Sequence, residues 1–495
     1  MRLLAGVLVS SAVYAAAIQG TVVENQTGRP VARATVELRP ISRTQGLTES
    51  TRTDSRGQFE FDGLAAGPYL VTATRRGFLH TEYGQKRWNS AGMPLTVQAE
   101  ETAMITVRLM HYSAIAGTVV DENEVGLPDF SVAVYRTGQP PELVTAARSD
   151  EGGVFRVSGL DPGTYLVRSA AKQDEDEAYL PTFSRETQRV EEARVITVYP
   201  EEETRGVEVH ALPGKLYTLS GEAITVPPGI PVRITLVSDV GRQTAEGPMF
   251  QFSGLAPGPY ELFAELPENR SRNIRYQAAY QPVPLDRDTN LRLTLQQPLD
   301  TRFDFDPLPA QATNAIQVLA QRKDLAGTGP LEVLSLVNGR AKLAPGPWEL
   351  LAYPPPGYYT SGFSSPSLGP VTKGRPDGWN EVVIGNFSLV RFSFSNGPGG
   401  IRGLVKSAGE PVAGAPVFLE GYDPVNRKRL TLRTTRTDER GRYDFKDLAP
   451  GTWRILATFE YQNPDTETMA AGGARSIQID SGMQAQIDPD LYTLP

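Results

Sequence analysis

Short runs in which apolar and polar residues alternate, broken every few positions by Gly, Pro or Asp, fill the chain from Ile18 onward. In Gln58-Phe59-Glu60-Phe61 and again in Tyr69-Leu70-Val71-Thr72-Ala73 the period is two. Phe59, Phe61, Tyr69 and Val71 therefore share one face, which the pattern predicts to be the inner face of a β-sandwich. Gly20-Thr21-Val22-Val23 and Ala34-Thr35-Val36-Glu37-Leu38 read as further strands, rich in β-branched residues and bounded by turn formers.

The pattern repeats. An aromatic strand, a Leu, then Gly and a large aromatic at fixed offsets recur at Leu64/Gly67/Tyr69, Leu160/Gly163/Tyr165, Leu255/Gly258/Tyr260, Leu343/Gly346/Trp348 and Leu448/Gly451/Trp453. An internal repeat with a period of roughly 95 residues implies five small all-β domains in tandem. The expected boundaries are 18–110, 111–212, 213–297, 298–395 and 396–495, with the third and fourth modules divergent. The recurring aromatics Tyr69, Tyr165, Tyr260, Trp348 and Trp453 are assigned to packing, because large rings supply much of the burial in small β-domains.

A second phrase precedes each strand pair in modules one, two and five: Thr53-Asp54-Ser55-Arg56-Gly57, Ser149-Asp150-Glu151-Gly152-Gly153 and Thr437-Asp438-Glu439-Arg440-Gly441. The Asp stands at one interval from the closing aromatic throughout, Asp54 to Tyr69, Asp150 to Tyr165 and Asp438 to Trp453. An Asp side chain accepts from the backbone two residues on and Gly supplies a positive φ, so the phrase predicts a β-turn. A calcium or catalytic role would need a second carboxylate at fixed spacing, which the phrase lacks.

Composition narrows the setting. Met1-Arg2, an apolar stretch Leu3–Val9 and small residues ending Ala15-Ala16-Ala17 have the regions of a secretory signal peptide, with cleavage expected after Ala17. Cysteine is absent, so disulfides, thiolate metal sites and a cysteine nucleophile are excluded. No later apolar run is long enough for a transmembrane helix. A net charge of -8 with mixed signs argues against a nucleic-acid partner. The expected location is the periplasm, outer surface or surroundings of a bacterium.

The order G-x-V, Pro-[Val/Leu], T-D-x-x-G-x-[F/Y]-x-F and L-x-P-G-x-[Y/W] resembles the carboxypeptidase regulatory-like domain. That resemblance implies a transthyretin-like (Ig-like) antiparallel β-sandwich. The fold class expected is thus all-β, a tandem array of five such domains after a signal peptide. It implies a fold far more than an activity.

Catalytic chemistry finds no motif. His80, His111 and His210 are the only histidines and none begins an H-x-x-E or H-E-x-x-H pair. There is no G-x-S-x-G elbow and no phosphate-cradling G-x-x-x-x-G-K-[S/T] loop. No catalytic residue, cofactor or metal is expected. Trp88 near Tyr83, Trp379 after a Gly/Pro/Asp-rich run, and Tyr358-Tyr359 beyond Pro354-Pro355-Pro356 lie in loop-like sequence. These five aromatics are the candidates for stacking on sugar rings, against the alternative that they cover sandwich ends or fill module interfaces.

The reading is an exported, non-enzymatic structural, adhesive or envelope-associated spacer. The alternatives are a polysaccharide-binding protein using those loop aromatics, and a module array acting in trans with an outer-membrane transporter. A polysaccharide or another envelope or extracellular protein is the expected partner. Short linkers such as Leu109–Tyr112 and Ala211–Gly214 predict end-to-end packing, and five extended beads would reach on the order of 150–200 Å.

Overall fold

The computed structural model describes residues 16–41, 47–138, 140–173, 177–269, 275–308, 316–366, 372–373, 378–385, 388–425 and 427–494. Almost all regular structure is strand. The first module contains β1 (Ala16–Glu24), β2 (Thr35–Pro40), β3 (Glu49–Arg52), β4 (Gln58–Leu64), β5 (Gly67–Thr74), β6 (Thr81–Glu82), β7 (Leu95–Val97) and β8 (Thr102–Leu109). One sheet has the order β4-β1-β8, with β1 antiparallel to β4 and parallel to β8. The other runs β3-β2-β5-β6, with β7 also on β5. Phe59, Phe61, Tyr69 and Val71 all point into the space between the sheets and are buried.

The same plan recurs in modules two, three and five, where a three-stranded and a four-stranded sheet face each other. Module four departs from it. Its strand Tyr358–Ser364 leaves the sheet of Gly346–Ala352 and pairs with Leu389–Asn396, which makes one sheet five-stranded. Five buried clusters follow the five copies of the phrase, centred on Tyr69, Tyr165, Leu262, Trp348 and Trp453.

The recurring phrase has one physical explanation in all five copies. The aromatic ring enters the core while its polar tip donates to the carbonyl four residues back. Tyr69, Tyr165 and Tyr260 hydroxyls reach the carbonyls of Ala65, Asp161 and Ala256 at 2.8, 2.6 and 3.0 Å. Trp348 and Trp453 do the same through Nε1 to Ala344 and Ala449, at 2.9 and 3.1 Å. Tyr and Trp interchange because both carry a donor at the end of a large apolar body; Phe would leave the turn carbonyl unsatisfied. The Gly two residues earlier has positive φ in every copy, from +119° at Gly346 to +157° at Gly258, a conformation that disfavours any other residue.

The Asp phrase closes a turn, as its spacing predicts. Asp54 Oδ1 accepts from the Arg56 and Gln58 amides at 2.8 Å, and Asp150 and Asp438 repeat the pair with Gly152/Val154 and Arg440/Arg442. The preceding hydroxyl is a buried staple. Thr437 Oγ1 donates to the Val412 carbonyl at 2.7 Å and accepts from the Ala415 amide at 2.8 Å, tying the turn to the strand Pro416–Asp423. Thr53 and Ser149 make the equivalent bonds.

The modules do not form an extended string. Modules one and two join where Glu201 accepts from the His111 amide and from Asn25 Nδ2, with His111 against Phe78 at 4.1 Å. Val240 of module three enters a cluster with Tyr135, Leu166 and Phe183 of module two. Between modules three and four Arg242 grips Asp324, and Arg322 lies over both Phe263 and Trp348. A Cβ on Gly327 would lie 3.3 Å from Pro140, so module four also abuts module two. Ser481 of module five bonds the carbonyl of Asn396, where the strand Leu389–Asn396 of the module-four sheet ends. The last module then returns to the first, and Ala91 of module one sits inside the core cluster of module five. The expected extended reach is corrected accordingly: side-to-side contacts between outer sheet faces fold the array back on itself.

Residues 1–15 of the expected signal peptide lie outside the described residues, and Ala16 and Ala17 are buried in β1, with Ala16 opposite Leu64.

Candidate functional site: a cleft between the first and last modules

The seam that closes the array begins with local sequence. Residues 83–94 of module one lack alternation and form a long excursion between β6 and β7. Its shape is set by side chains bonding the backbone. Gln85 accepts from the Glu82 amide at 2.8 Å and donates to the Ser90 carbonyl at 2.7 Å. Ser90 Oγ accepts from the Lys86 and Arg87 amides and donates to the Arg87 carbonyl. The excursion thereby presents Asn89 and Ala91 to module five. The Ala91 amide donates to the Phe459 carbonyl and the Gln462 amide to the Asn89 carbonyl, both at 2.7 Å.

Charged groups reinforce these two backbone bonds. Lys86 pairs with the buried Glu460 at 3.3 Å, and Arg436 reaches Glu82 at 3.5 Å. Glu82 also accepts from the Gly92 amide at 2.6 Å, so one carboxylate ties the excursion to the partner module. Burial pushes the Arg436 guanidinium down, opposed by the Glu82 charge and assisted by the neighbouring Arg39. Gly414 closes the seam: it has φ +66°, and a Cβ there would lie 2.5 Å from Ile41 Cδ1 and 2.6 Å from Pro94 Cγ. A side chain at 414 would force the modules apart.

Beside the seam lies a cleft of about 1590 Å³. Leu70, Ile41 and Phe418 are among its apolar lining, and Arg39, His80, Arg402, Arg442, Asp444 and Gln486 among its polar lining. Leu70 is informative, since it projects from the outer face of β5 and is nevertheless buried, because module five covers that end of the sheet. The cleft sets four guanidinium groups, Arg39, Arg402, Arg436 and Arg442, beside four carboxylates, Glu82, Asp438, Asp444 and Asp488, with imidazole, amide and hydroxyl groups between them, a mixed polar lining suited to a hydroxylated ligand. Among the described residues no group of three or more His, Asp or Glu side chains is arranged to hold a metal ion.

The sequence-predicted aromatics are scattered. Trp88 lies half-buried in the docking excursion itself, and Tyr83 packs against the core of module one. Trp379 is the first residue of the strand Trp379–Ile384, and Tyr358 and Tyr359 begin the strand Tyr358–Ser364, with Tyr358 against the core of module four. Their loop-like reading is corrected: alternation resumes at Trp379 behind its Gly/Pro run, and Tyr358 and Tyr359 are strand residues through pairing with Leu389–Asn396 despite having no alternation of their own. The aromatics of modules one and four do not converge, and each is partly buried. Sequence reasoning missed Glu82, Ala91, Arg436 and Phe459; the only signal was the long non-alternating excursion at 83–94.

One further network pins the far side of module five. Glu420 is fully buried on the outer face of its sheet and accepts from Arg454 Nε at 2.6 Å, Arg429 Nε at 2.7 Å and the Thr466 hydroxyl at 2.9 Å. Arg454 lies over Tyr422 at 3.9 Å and bonds the Thr466 carbonyl. These bonds hold the short helix Thr466–Ala471 on the sheet.

Among the described residues no helix is long and apolar enough to cross a membrane. Residues 17–110 and 400–488 each match the carboxypeptidase regulatory-like domain. Over 295 residues, 52% of this chain and 25% of the relative, the sequence is 23% identical to serine-aspartate repeat-containing protein E of Staphylococcus aureus. The chain therefore spans about a quarter of the length of the curated relatives it matches. Among solved structures it is similar to GBS52, the minor pilin of Streptococcus agalactiae, at 12% identity over 41% of this chain and 98% of that one, with a TM-score of 0.27. It is also similar to BcpA, the major pilin subunit of Bacillus cereus, at 12% identity over 77% and 100%, with a TM-score of 0.17. The two domain matches fall on the two modules that meet across the cleft, and the chain is a tandem β-sandwich protein whose first and fifth modules match the carboxypeptidase regulatory-like domain.

Proposed function

We propose that this chain is an exported, non-enzymatic structural or adhesive protein of a bacterial envelope, working as a closed platform of sandwiches. One observation carries the reading. The residues that recur between modules, namely the Leu-Gly-aromatic phrase and the Thr-Asp turn, are all committed to packing or to backbone bonds. What is repeated is architecture, and what differs between modules is the outer surface. The similarity to a repeat-containing protein of Staphylococcus aureus supports the same reading.

The five modules 18–110, 111–212, 213–297, 298–395 and 396–495 are the proposed units, and a polysaccharide or an envelope protein is the proposed partner. The polar cleft, lined by arginines and carboxylates alike, favours binding as a second role beside spacing. The test incubates purified chain with envelope fractions, cell-wall polysaccharides and peptide mixtures. Retention on envelope material with no new products by mass spectrometry is expected; release of cleaved glycan or peptide would overturn the non-enzymatic reading. In the same screen, loss of glycan retention in Trp88→Ala or Trp379→Ala would assign binding to the aromatics.

A further inference from the structure

The outer face of the sheet β3-β2-β5-β6 is covered by module five at one end and open at the other. Arg39 of β2 and Leu70 of β5 mark the covered end. At the open end Arg52, Thr35 and Thr74 stand in one row across three neighbouring strands, since Thr35 pairs with both Arg52 and Thr74. Arg33 precedes the row, and Arg75 and Arg76 follow it. With Phe78, His80 and Tyr112 these residues line a hollow of about 530 Å³.

The charge of this hollow inverts that of the chain. Acidic residues outnumber Lys and Arg by 57 to 49 overall, yet four arginines and a histidine line the hollow without a single carboxylate. Among the described residues no carboxylate lies within ion-pair distance of Arg33, Arg52, Arg75 or Arg76. The nearest acid along β2 on this face is Glu37, one pleat away, opposite Ser50 and Thr72. All four arginines are exposed, as is Tyr112, at 39%. His80 also lines the larger cleft, so one imidazole borders both.

We infer that this hollow binds a linear polysaccharide carrying carboxylates, a polyuronate chain, at Arg33, Arg52, Arg75 and Arg76. The planar guanidinium fork pairs with a carboxylate through two parallel bonds, which an isolated Lys cannot do. Neighbouring strands are about 4.8 Å apart, a spacing comparable to the advance of one pyranose ring, so the row Arg52-Thr35-Thr74 presents a guanidinium and hydroxyls at sugar intervals. Tyr112 supplies an aromatic face at the rim; beyond His80 the larger cleft sets Glu82, Asp438, Asp444 and Asp488 beside Arg39, Arg402, Arg436 and Arg442, so the uronate contacts belong to the hollow. Duplex DNA is disfavoured: roughly 6–10 phosphate contacts are typical of DNA-binding proteins, against four arginines within an acidic chain. The choice of a polysaccharide rests on the envelope reading above.

The experiment measures binding of sodium polygalacturonate, neutral dextran and a DNA duplex to the purified chain, by interferometry at low and at moderate salt. The variants are the triple change Arg52→Ala, Arg75→Ala, Arg76→Ala and its all-Lys counterpart. Saturable, salt-sensitive polygalacturonate binding is expected, weakened at least about tenfold in the Ala triple and partly restored with Lys, because each charge-assisted bond contributes of order a tenfold factor. Dextran is expected not to bind. An unchanged melting temperature of the Ala triple separates lost binding from lost folding. No saturable polygalacturonate binding, equal binding by the Ala triple, or tighter binding of duplex would each overturn the inference. Arginine-dependent binding accompanied by cleavage of the polymer would instead sink the non-enzymatic reading and leave this site standing.

Discussion

Glu82 and Arg436 stand 354 residues apart in the sequence and meet at 3.5 Å across the seam between the first and last modules. Each also fixes its own side of that seam, Glu82 through the Gly92 amide and Arg436 through the Gly414 carbonyl at 3.0 Å. The pair therefore couples the docking excursion directly to the start of a strand in module five. An array closed in this way behaves differently from a string of beads.

Closure is testable in solution. Small-angle scattering of the intact chain should give a maximum dimension well below the roughly 150–200 Å of five extended modules. Ala91→Arg places a charge in the core cluster of module five and should lengthen the particle. Glu82→Arg should do so in part, and adding Arg436→Glu should reverse that part. A wild-type profile as long as that of Ala91→Arg would show that the seam does not form.

The polar tips of the phrase aromatics predict a graded loss. Tyr165→Phe keeps the fully buried ring and removes only the bond to the Asp161 carbonyl, so about 1 kcal/mol should be lost in denaturant titrations. Thr437→Val preserves shape but strands the Ala415 amide and the Val412 carbonyl, and should cost roughly 1–3 kcal/mol. Equal stability of Thr437→Val and the parent would remove the staple from the account.

Removing Glu420 should be more damaging. Glu420→Ala leaves Arg454 and Arg429 without their shared carboxylate, and breaking such a buried cluster typically costs about 3–5 kcal/mol. Amide exchange should accelerate first in Thr466–Ala471, which the cluster holds in place. Unaltered protection there would mean that apolar contacts of Met469 with Phe418 and Leu456 suffice.

Glu203 gives a pH signature. Its carboxyl is held below the usual glutamate range, first by the hydrogen bond from Arg156 and then by that from Arg205. A folded value below the unfolded one contributes stability that is present above the ordinary value near 4.5 and is lost as pH falls through the lower folded value. A carbon NMR titration should place its midpoint below that of a free glutamate, and Arg156→Ala should move it upward. An unmoved midpoint would detach the shift from Arg156.

Legibility followed range. Phe59, Phe61 and Tyr69 could be placed on the inner face from period two alone, and the Asp54 turn from residues no more than four apart. The tip bond of Tyr69 to Ala65 is just as local but depends on side-chain geometry that no spacing encodes. Trp379 was misassigned because a Gly/Pro-rich run masks the strand it starts; Asn380, Val382 and Ile384 point inward behind it. Neither the seam nor the arginine hollow was legible. Glu82 meets Arg436, and Arg33 joins Arg76 and Tyr112, only once the sheets are formed and the modules have turned back on each other.

The two backbone bonds of the seam, Ala91 to Phe459 and Gln462 to Asn89, run between segments that are not neighbours in the chain. A pull that separates the first module from the last must therefore rupture this seam before any linker is drawn taut or any sandwich is unravelled. Further length then lies behind the other junctions, each held by contacts of its own such as Arg242 with Asp324 and Val240 with Phe183. The closed array is in this sense a mechanical fuse, with length held in reserve behind contacts between sandwiches.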